Sequence, residues 1–182
     1  MVSKYFKDNI AILLDTKGKE YRMATSDLLD VSLVFSKDRP GHYDSYEGML
    51  SEDMLNYKLT TEEQEYCLKV WRKHIIEHTL YDIVSASIIG KNPDEKDAVF
   101  LFEQLKKYMT IDIPLAVTLM QGVETWDPDG YMTFLQENKN NVLLPEEFRS
   151  FIAELIDFHE GKIHNISWPV THGTVGDRYV SW

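Results

Sequence analysis

The longest helical pattern in the sequence lies at residues 60–90, TTEEQEYCLKVWRKHIIEHTLYDIVSASIIG. It begins with a capping-box pattern, in which the Thr60 hydroxyl is followed three residues later by the carboxylate of Glu63. Apolar and aromatic side chains then recur every three or four residues, which places them on one face of a helix. No glycine or proline interrupts the pattern before Gly90, and glycine is typical of helix C-termini. The pattern predicts one long helix over about residues 61–89.

The first 36 residues carry a different pattern, which predicts strands. Three segments are apolar and β-branched or alternate between polar and apolar residues: 9–14, 20–23 and 31–35. Between the first two lies Asp15–Lys19, where Gly18 can take the positive φ of a tight turn. These features predict a small antiparallel β-meander over residues 1–36.

The rest of the sequence predicts further helices. A short helix is expected at residues 51–57, and later helices are expected to start at three pairs of a capping residue and a nearby proline, and at Pro145. Those pairs are Asn92-Pro93, Asp112 with Pro114, and Asp127-Pro128. Residues 162–182 contain glycine, proline and tryptophan and predict an extended tail. The expected fold is therefore α+β and predominantly helical, with the meander at 1–36, a bundle of about five helices within 51–161 and the tail, in a single domain over 1–182.

The charge is uneven along the chain. The net charge is −11, and two segments hold all of the excess. Residues 40–66 carry seven acidic residues and one basic residue, and residues 112–160 carry ten acidic and two basic residues. A negative field repels nucleic acid and anionic membranes and attracts basic partners, so we expect no direct binding of nucleic acid or membrane. Solubility alone is the alternative interpretation of such a charge.

Cysteine content and hydropathy predict a cytoplasmic protein. Cys67 is the single cysteine, so a disulfide-stapled secreted scaffold is excluded. The N-terminal residues lack the apolar core of a signal peptide. No apolar run approaches the roughly 18 residues that a membrane-spanning helix needs.

One pattern of metal-binding type occurs within the long helical stretch. His74-Ile-Ile-Glu77-His78 matches H-x-x-E-H, which is typical of one class of zinc peptidases. Two histidines four residues apart in a helix lie on one face, so His74 and His78 are candidate zinc ligands. Glu77 is the corresponding candidate for the catalytic base acting on a metal-bound water. The alternative is that both histidines are partly buried packing residues with ordinary hydrogen bonds.

A second metal pattern lies in the acidic segment at 112–160. In TWDPDG, residues 125–130, the glycine falls at the sixth position of a calcium loop and Asp127 and Asp129 at the third and fifth. The first and twelfth positions are Thr125 and Gln136, where strong ligands are required. The simpler interpretation is that Pro128 starts a helix.

Aromatic side chains are interleaved with the carboxylates of both acidic segments. They are Tyr43, Tyr46, Tyr57, Tyr66, Trp126 and Tyr131. Carboxylates that pair with arginine or lysine, together with aromatic anchors, suit a surface that docks on a basic groove. The candidate partner-binding residues are Glu62, Glu63, Glu65, Trp126, Asp127, Asp129 and Tyr131. The alternative is a solvated acidic face whose aromatic side chains point into the core.

Three functional hypotheses follow from these patterns. The preferred one is a non-enzymatic protein that binds and inhibits or redirects a basic partner, for example a nuclease or another nucleic-acid-binding protein. Anti-defence inhibitors from phages and mobile elements share this size and charge. The alternatives are a metal-dependent hydrolase that uses His74, Glu77 and His78, with zinc as its cofactor, and an assembly subunit that forms a homo-oligomer. The sequence contains neither a nucleophile-elbow motif nor a phosphate-binding loop, which favours the first hypothesis.

Overall fold

A computed structural model of the chain describes residues 1–38, 50–167, 172–175 and 178–181. The chain divides into two compact units, Met1–Asn92 and Pro93–Trp182. The second unit contains fifteen acidic and seven basic residues, so it holds −8 of the net charge of −11. The single domain that we predicted over residues 1–182 stays a prediction, because this division does not test it.

Every secondary-structure element in the described part of the first unit is a helix. Its elements are a π-helical turn at Phe6–Ile10 that continues into α1 (Ala11–Leu14), then α2 (Tyr21–Asp38), α3 (Glu52–Asn56), α4 (Thr61–Ile76) and α5 (Asp82–Gly90). Helix α2 packs against α1, α3, α4 and α5, and α4 also packs against α5. The Ser51 hydroxyl accepts a hydrogen bond from the Met54 amide, so the short helix predicted at residues 51–57 is confirmed.

The β-meander predicted at residues 1–36 is wrong, because this segment folds into helices. Phe6, Ile10 and Leu14 are buried and lie four residues apart, which is the spacing of one helix face. Ile12 lies between them in the sequence and is 55% exposed. The apolar run at residues 9–14 is therefore part of a helix with one buried face.

Helix α2 replaces the other two predicted strands. Ala24, Leu28 and Val31 are buried at helical spacing, whereas Met23 is 57% exposed. The alternation at residues 20–23 is too short to separate a period of two residues from one of 3.6. The buried positions that define the helix face, Ala24, Leu28 and Val31, all follow residue 23.

The turn predicted at Asp15–Lys19 is confirmed, although it joins two helices instead of two strands. Gly18 has a φ of 78°, which glycine adopts without steric cost. The Asp15 carboxylate accepts a hydrogen bond from the Lys17 amide at 3.1 Å. Lys19 Nζ lies 2.8 Å from Asp27 Oδ2, and this ion pair holds the turn against α2.

The second unit contains four helices in its described part. They are α6 (Glu95–Tyr108), α7 (Ile113–Trp126), α8 (Pro128–Asn138) and α9 (Glu146–His159). Helix α7 packs against α6 and α8, and α8 packs against α9. The core is formed by side chains from all four helices: Leu101, Leu105, Leu115, Leu119, Leu135, Phe148 and Ile152.

Carboxylate caps start three of these helices. Asp112 accepts a hydrogen bond from the Leu115 amide, and Asp127 accepts one from the Gly130 amide, so both predicted starts are confirmed. Helix α6 starts later than predicted. Asp94, two residues after the predicted cap Asn92, forms a capping box with Asp97. The sequence thus offers two possible starts for α6, Asn92-Pro93 and the capping box of Asp94 with Asp97, and the helix begins at the second.

Two short strands lie near the end of the chain, β1 (His172–Val175) and β2 (Arg178–Ser181). They pair antiparallel, with His172 opposite Ser181 and Val175 opposite Arg178. Both fall within the segment at 162–182 where we expect extended structure. Among the helices that the structure describes, none combines the length and the hydropathy needed to cross a lipid bilayer.

Candidate partner-binding surface

The long helix predicted over residues 61–89 is wrong, because the chain turns between α4 and α5. His78 has a φ of 52°, in the left-handed region that glycine adopts more readily. The Thr79 amide donates to the His74 carbonyl at 3.1 Å and the His78 amide to the Ile75 carbonyl at 3.2 Å. These two bonds form a Schellman helix ending. His78 occupies the position where glycine usually ends a helix. The apolar pattern of the sequence therefore gives no sign that the helix ends here.

This turn removes the shared helix face on which the zinc-site hypothesis depends. His74 lies in α4, whereas His78 follows the end of that helix. His74 Nδ1 lies 2.9 Å from Thr79 Oγ1, and His78 Nδ1 lies 2.9 Å from Asp82 Oδ2. Among the residues that the structure describes, neither His74 nor Glu77 belongs to a group of three potential metal ligands. Zinc binding by His74 and catalysis by Glu77 stay untested predictions without geometric support.

His74 has the environment of a packing residue. Burial lowers the pKa of its imidazole, and the charge of Lys73 lowers it further. Its Nε2 atom is buried and has no hydrogen-bond partner within the described ranges. The ring lies edge-on to Tyr81, with centroids 5.3 Å apart. These contacts favour the alternative interpretation, in which His74 helps to pack the α4–α5 turn.

Glu63, a predicted partner-binding residue, is buried and holds the start of α4. Its carboxylate accepts hydrogen bonds from the Ser3 amide at 2.9 Å, the Thr60 amide at 3.0 Å and the Tyr57 hydroxyl at 3.1 Å. Burial alone would raise the pKa of Glu63, but these hydrogen bonds outweigh it and lower the pKa to about 2. The Thr60 hydroxyl completes the capping box by accepting from the Glu63 amide at 3.3 Å. Glu63 is therefore unavailable to a partner.

The two other predicted partner-binding glutamates of this acidic segment are exposed but already paired. Glu62 forms an ion pair with the amino group of Met1. Glu65 Oε1 lies 3.0 Å from Arg72 Nη1. Of the four tyrosines in this segment, Tyr43 and Tyr46 lie outside the described residues, Tyr57 is bound to Glu63, and Tyr66 is 41% exposed.

The second acidic segment presents its candidate residues at the junction of α7 and α8. Trp126 is the last residue of α7, and its side chain is 49% exposed. Asp127 caps α8 through a 2.9 Å hydrogen bond from the Gly130 amide and remains exposed. Asp129, in the first turn of α8, is also exposed and forms no ion pair with any described residue.

Helix α8 overturns the calcium-loop interpretation of the same stretch. Residues 128–138 are helical, so positions four to twelve of the supposed loop lie on a helix and cannot wrap around an ion. The Asp127 carboxylate is instead used as the helix cap. Gly130 leaves room for this cap, because a Cβ atom at that position would clash with the carboxylate.

Tyr131, the remaining predicted partner-binding residue, belongs to the core. It is 2% exposed, and burial, followed by the nearby charge of Glu124, raises the pKa of its hydroxyl. Its ring lies edge-on to His159 at 5.8 Å. His159 Nε2 in turn lies 3.3 Å from Glu124 Oε1. This pair joins the end of α9 to the end of α7 beside Trp126.

The same junction exposes a second aromatic side chain that the sequence did not single out. Phe158 is 41% exposed and lies edge-on to His159 at 5.8 Å. The buried face of α9 is formed by Phe148, Phe151, Ile152, Leu155 and Ile156. Phe158 follows Phe151 by seven residues and Leu155 by three, so its spacing predicts the buried face, and no local pattern in the sequence marks it as exposed.

The exposed and half-buried residues around the Glu124–His159 pair form one surface, which we call the Trp126 surface. It consists of Glu124, Thr125, Trp126, Asp127, Asp129, Phe158 and Glu160. Glu160 forms an ion pair with Lys162, which also lies 3.0 Å from Asp157 Oδ1. The surface thus combines two aromatic side chains with carboxylates from the end of α7, the start of α8 and the end of α9. Of the described lysines, Lys162 is the one paired with these carboxylates.

Comparison of the chain with protein-family models, curated proteins and solved structures finds no match.

Proposed function

We propose that this chain is a non-enzymatic interaction protein that docks a basic protein partner through the Trp126 surface. One observation carries the proposal. Only three aromatic side chains are exposed among the described residues, Tyr66, Trp126 and Phe158, and two of them flank the carboxylates of this surface.

The chemistry of the surface suits an arginine- or lysine-rich partner. Trp126 and Phe158 supply large apolar areas that gain most when a partner excludes water from them. Asp127 and Asp129 can accept hydrogen bonds from guanidinium or ammonium groups, and such charge-assisted bonds are the stronger ones. The net charge of −8 in this unit would also accelerate the encounter with a basic protein.

The predicted partner-binding residues of the first acidic segment are less available to a partner than those of the second. Glu63 is buried, and Glu62 and Glu65 are paired within the chain. A basic partner would have to displace the Met1 amino group and Arg72 from these carboxylates, whereas Asp127 and Asp129 form no ion pair with any described residue. We therefore assign docking to the second segment alone, which narrows the initial hypothesis.

The narrower form of the proposal is that the partner handles nucleic acid and is inhibited when bound. A groove that binds phosphates presents the arginine and lysine side chains that the Trp126 surface would pair with. If the two surfaces meet in this way, duplex DNA should compete with this chain for the partner. Binding without such competition would retain the docking role and remove the inhibitor role.

Site-specific photo-crosslinking in the source cells tests the docking proposal. A photoreactive phenylalanine analogue at Thr125, an exposed position inside the surface, should capture one basic protein reproducibly. The same analogue at Val99 is the matched control, because that side chain is 56% exposed on α6 of the same unit. Recovery of the same proteins from both positions, or of acidic proteins from Thr125, would contradict the proposal.

A further inference from the structure

A groove between α6 and α8 is separate from the Trp126 surface. Its volume is about 440 Å³. The apolar part of its lining includes Phe102, Met109 and Phe134, and the rings of Phe102 and Phe134 meet edge-on at 5.6 Å. Aromatic and thioether side chains at the floor of an open groove favour an apolar occupant.

An exposed apolar pair lies at one end of this groove. Val142 is 80% exposed and Leu143 is 77% exposed, and Leu143 also lines the groove. They are the two most exposed large apolar side chains among the described residues after Met1. Adjacent exposed side chains of this kind are typical of an interaction site.

The turn that carries this pair is held in place by a chain of hydrogen bonds. Asn138 Nδ2 donates to the Phe134 carbonyl at 2.9 Å, and Asn141 Nδ2 donates to Asn138 Oδ1 at 3.1 Å. Asn141 Oδ1 accepts from the Leu143 amide at 3.1 Å. Because the turn is already ordered, covering its apolar side chains would cost little conformational entropy.

Each wall of the groove presents one charged side chain, and the two are of opposite sign. Lys106 on α6 lies over the Phe102 ring, with Nζ 4.0 Å from the centroid. Glu137 on α8 lines the groove as well. Within the described part of the chain, neither side chain takes part in an ion pair. Each therefore has charge that an occupant could neutralise.

We propose that the occupant of this groove is a second copy of the chain, bound across a two-fold axis. A two-fold axis in the plane of the contact, parallel to the long axis of the groove, turns one copy face-down onto the other and exchanges the two walls. Lys106 of one copy then faces Glu137 of the other, and the Leu143 turn of each copy enters the same end of its neighbour's groove. A groove with one charge sign on each wall is self-complementary in this arrangement, which a closed dimer requires.

The size of the contact sets its expected strength. A contact restricted to the groove and the Leu143 turn lies at the low end of specific interfaces, below roughly 1,200 Å² of buried surface. We therefore expect a dimer that dissociates in the micromolar range, and dimerisation leaves the Trp126 surface out of the contact.

Charge exchange tests the proposal on the full chain. Sedimentation equilibrium from micromolar to millimolar concentration should show a monomer–dimer equilibrium for the unmodified protein. Lys106→Glu and Glu137→Lys should each raise the dimer dissociation constant at least tenfold, because each leaves two like-charged contacts. The double exchange should restore it to within about threefold of the original value, since the pairs are then remade with reversed sign.

The control double variant is Lys96→Glu with Glu103→Lys. Both are exposed residues of α6 that do not line the groove, so their exchange should leave the dissociation constant unchanged. Leu143→Ser should weaken the dimer through its apolar part, without any change in charge. A monomer at millimolar concentration overturns the proposal, as does a double exchange of Lys106 and Glu137 that fails to restore dimerisation. If the groove binds a different molecule instead of a second copy, the chain should stay monomeric or the double exchange should fail to restore dimerisation.

Discussion

The Glu63 carboxylate accepts hydrogen bonds from two backbone amides and the Tyr57 hydroxyl at the start of α4. These donors keep it ionised although it is buried, and they connect Ser3 near the N-terminus to the start of the helix. A buried carboxylate with several donors is a structural residue, because removing its charge leaves the donors with a weaker acceptor. Its charge therefore contributes to the stability of the first unit.

We expect Glu63→Gln to lower the free energy of unfolding by about 2 kcal/mol at neutral pH. The folded pKa of about 2 is below the ordinary value of 4.5, so the ionised form stabilises the fold above about pH 4.5. That contribution is lost as the pH falls toward 2. Urea unfolding followed by circular dichroism should show a difference between the two proteins that shrinks over this pH range.

Glu65→Gln is the matched control for this substitution. Glu65 is exposed and pairs only at the surface with Arg72, so its replacement should change stability by less than about 0.5 kcal/mol. Equal effects of the two substitutions would show that the buried network around Glu63 does not form.

Only some residues of the candidate partner-binding surface could be predicted from the sequence. Trp126, Asp127 and Asp129 were identified in the sequence, because carboxylates interleaved with aromatic residues stand out. Glu63 and Tyr131 were assigned to the surface wrongly. Their burial depends on partners distant in the sequence, such as Ser3 for Glu63 and His159 for Tyr131, and no local pattern contains that information.

At the scale of elements, the cap of α8 separates the structural role of Asp127 from its proposed docking role. Asparagine caps a helix about as well as aspartate, whereas alanine does not. We expect Asp127→Ala to lower the free energy of unfolding by about 1 kcal/mol and Asp127→Asn to change it by a few tenths. Thermal or urea unfolding measures both, and an equal loss in the two variants would contradict the cap.

Helix α4 contains the single cysteine and so offers a probe of its own packing. Cys67 is fully buried, and burial raises the pKa of its thiol to about 12. We expect a thiol reagent to modify it at mildly alkaline pH only through opening of α4, with a rate that rises on adding urea.

The control for this labelling places the thiol on the exposed side of the same helix. Lys69 is exposed, so Lys69→Cys combined with Cys67→Ala should react at the rate of an unstructured peptide. Equally fast labelling of Cys67 in the unmodified protein would show that α4 is not packed as described.

Among the elements, those with caps or Pro starts were predicted best. The starts of α3, α4, α7 and α8 each carry a side-chain cap that the sequence shows. The strands predicted at residues 1–36 failed because short apolar runs fit either period. The break after Ile76 was missed because His78 occupies a backbone conformation that is usually marked by glycine.

At the scale of the whole molecule, the two units use their acidic residues differently. In the described part of the first unit, Glu62, Glu63 and Glu65 are engaged within the chain. The second unit carries a net charge of −8 and presents carboxylates beside exposed aromatic side chains. This difference is the physical basis for assigning partner binding to the second unit.

The affinity for the captured partner, measured by titration calorimetry over a range of salt concentrations, tests the central claim most directly. We expect the dissociation constant to rise at least tenfold between about 0.05 and 0.5 M salt, because screening weakens charge pairing. Trp126→Ala should raise it roughly thirtyfold, and Asp127→Asn with Asp129→Asn should reduce the salt dependence. Glu62→Gln with Glu65→Gln should leave both quantities unchanged. An affinity that is independent of salt and insensitive to Trp126→Ala would contradict the account.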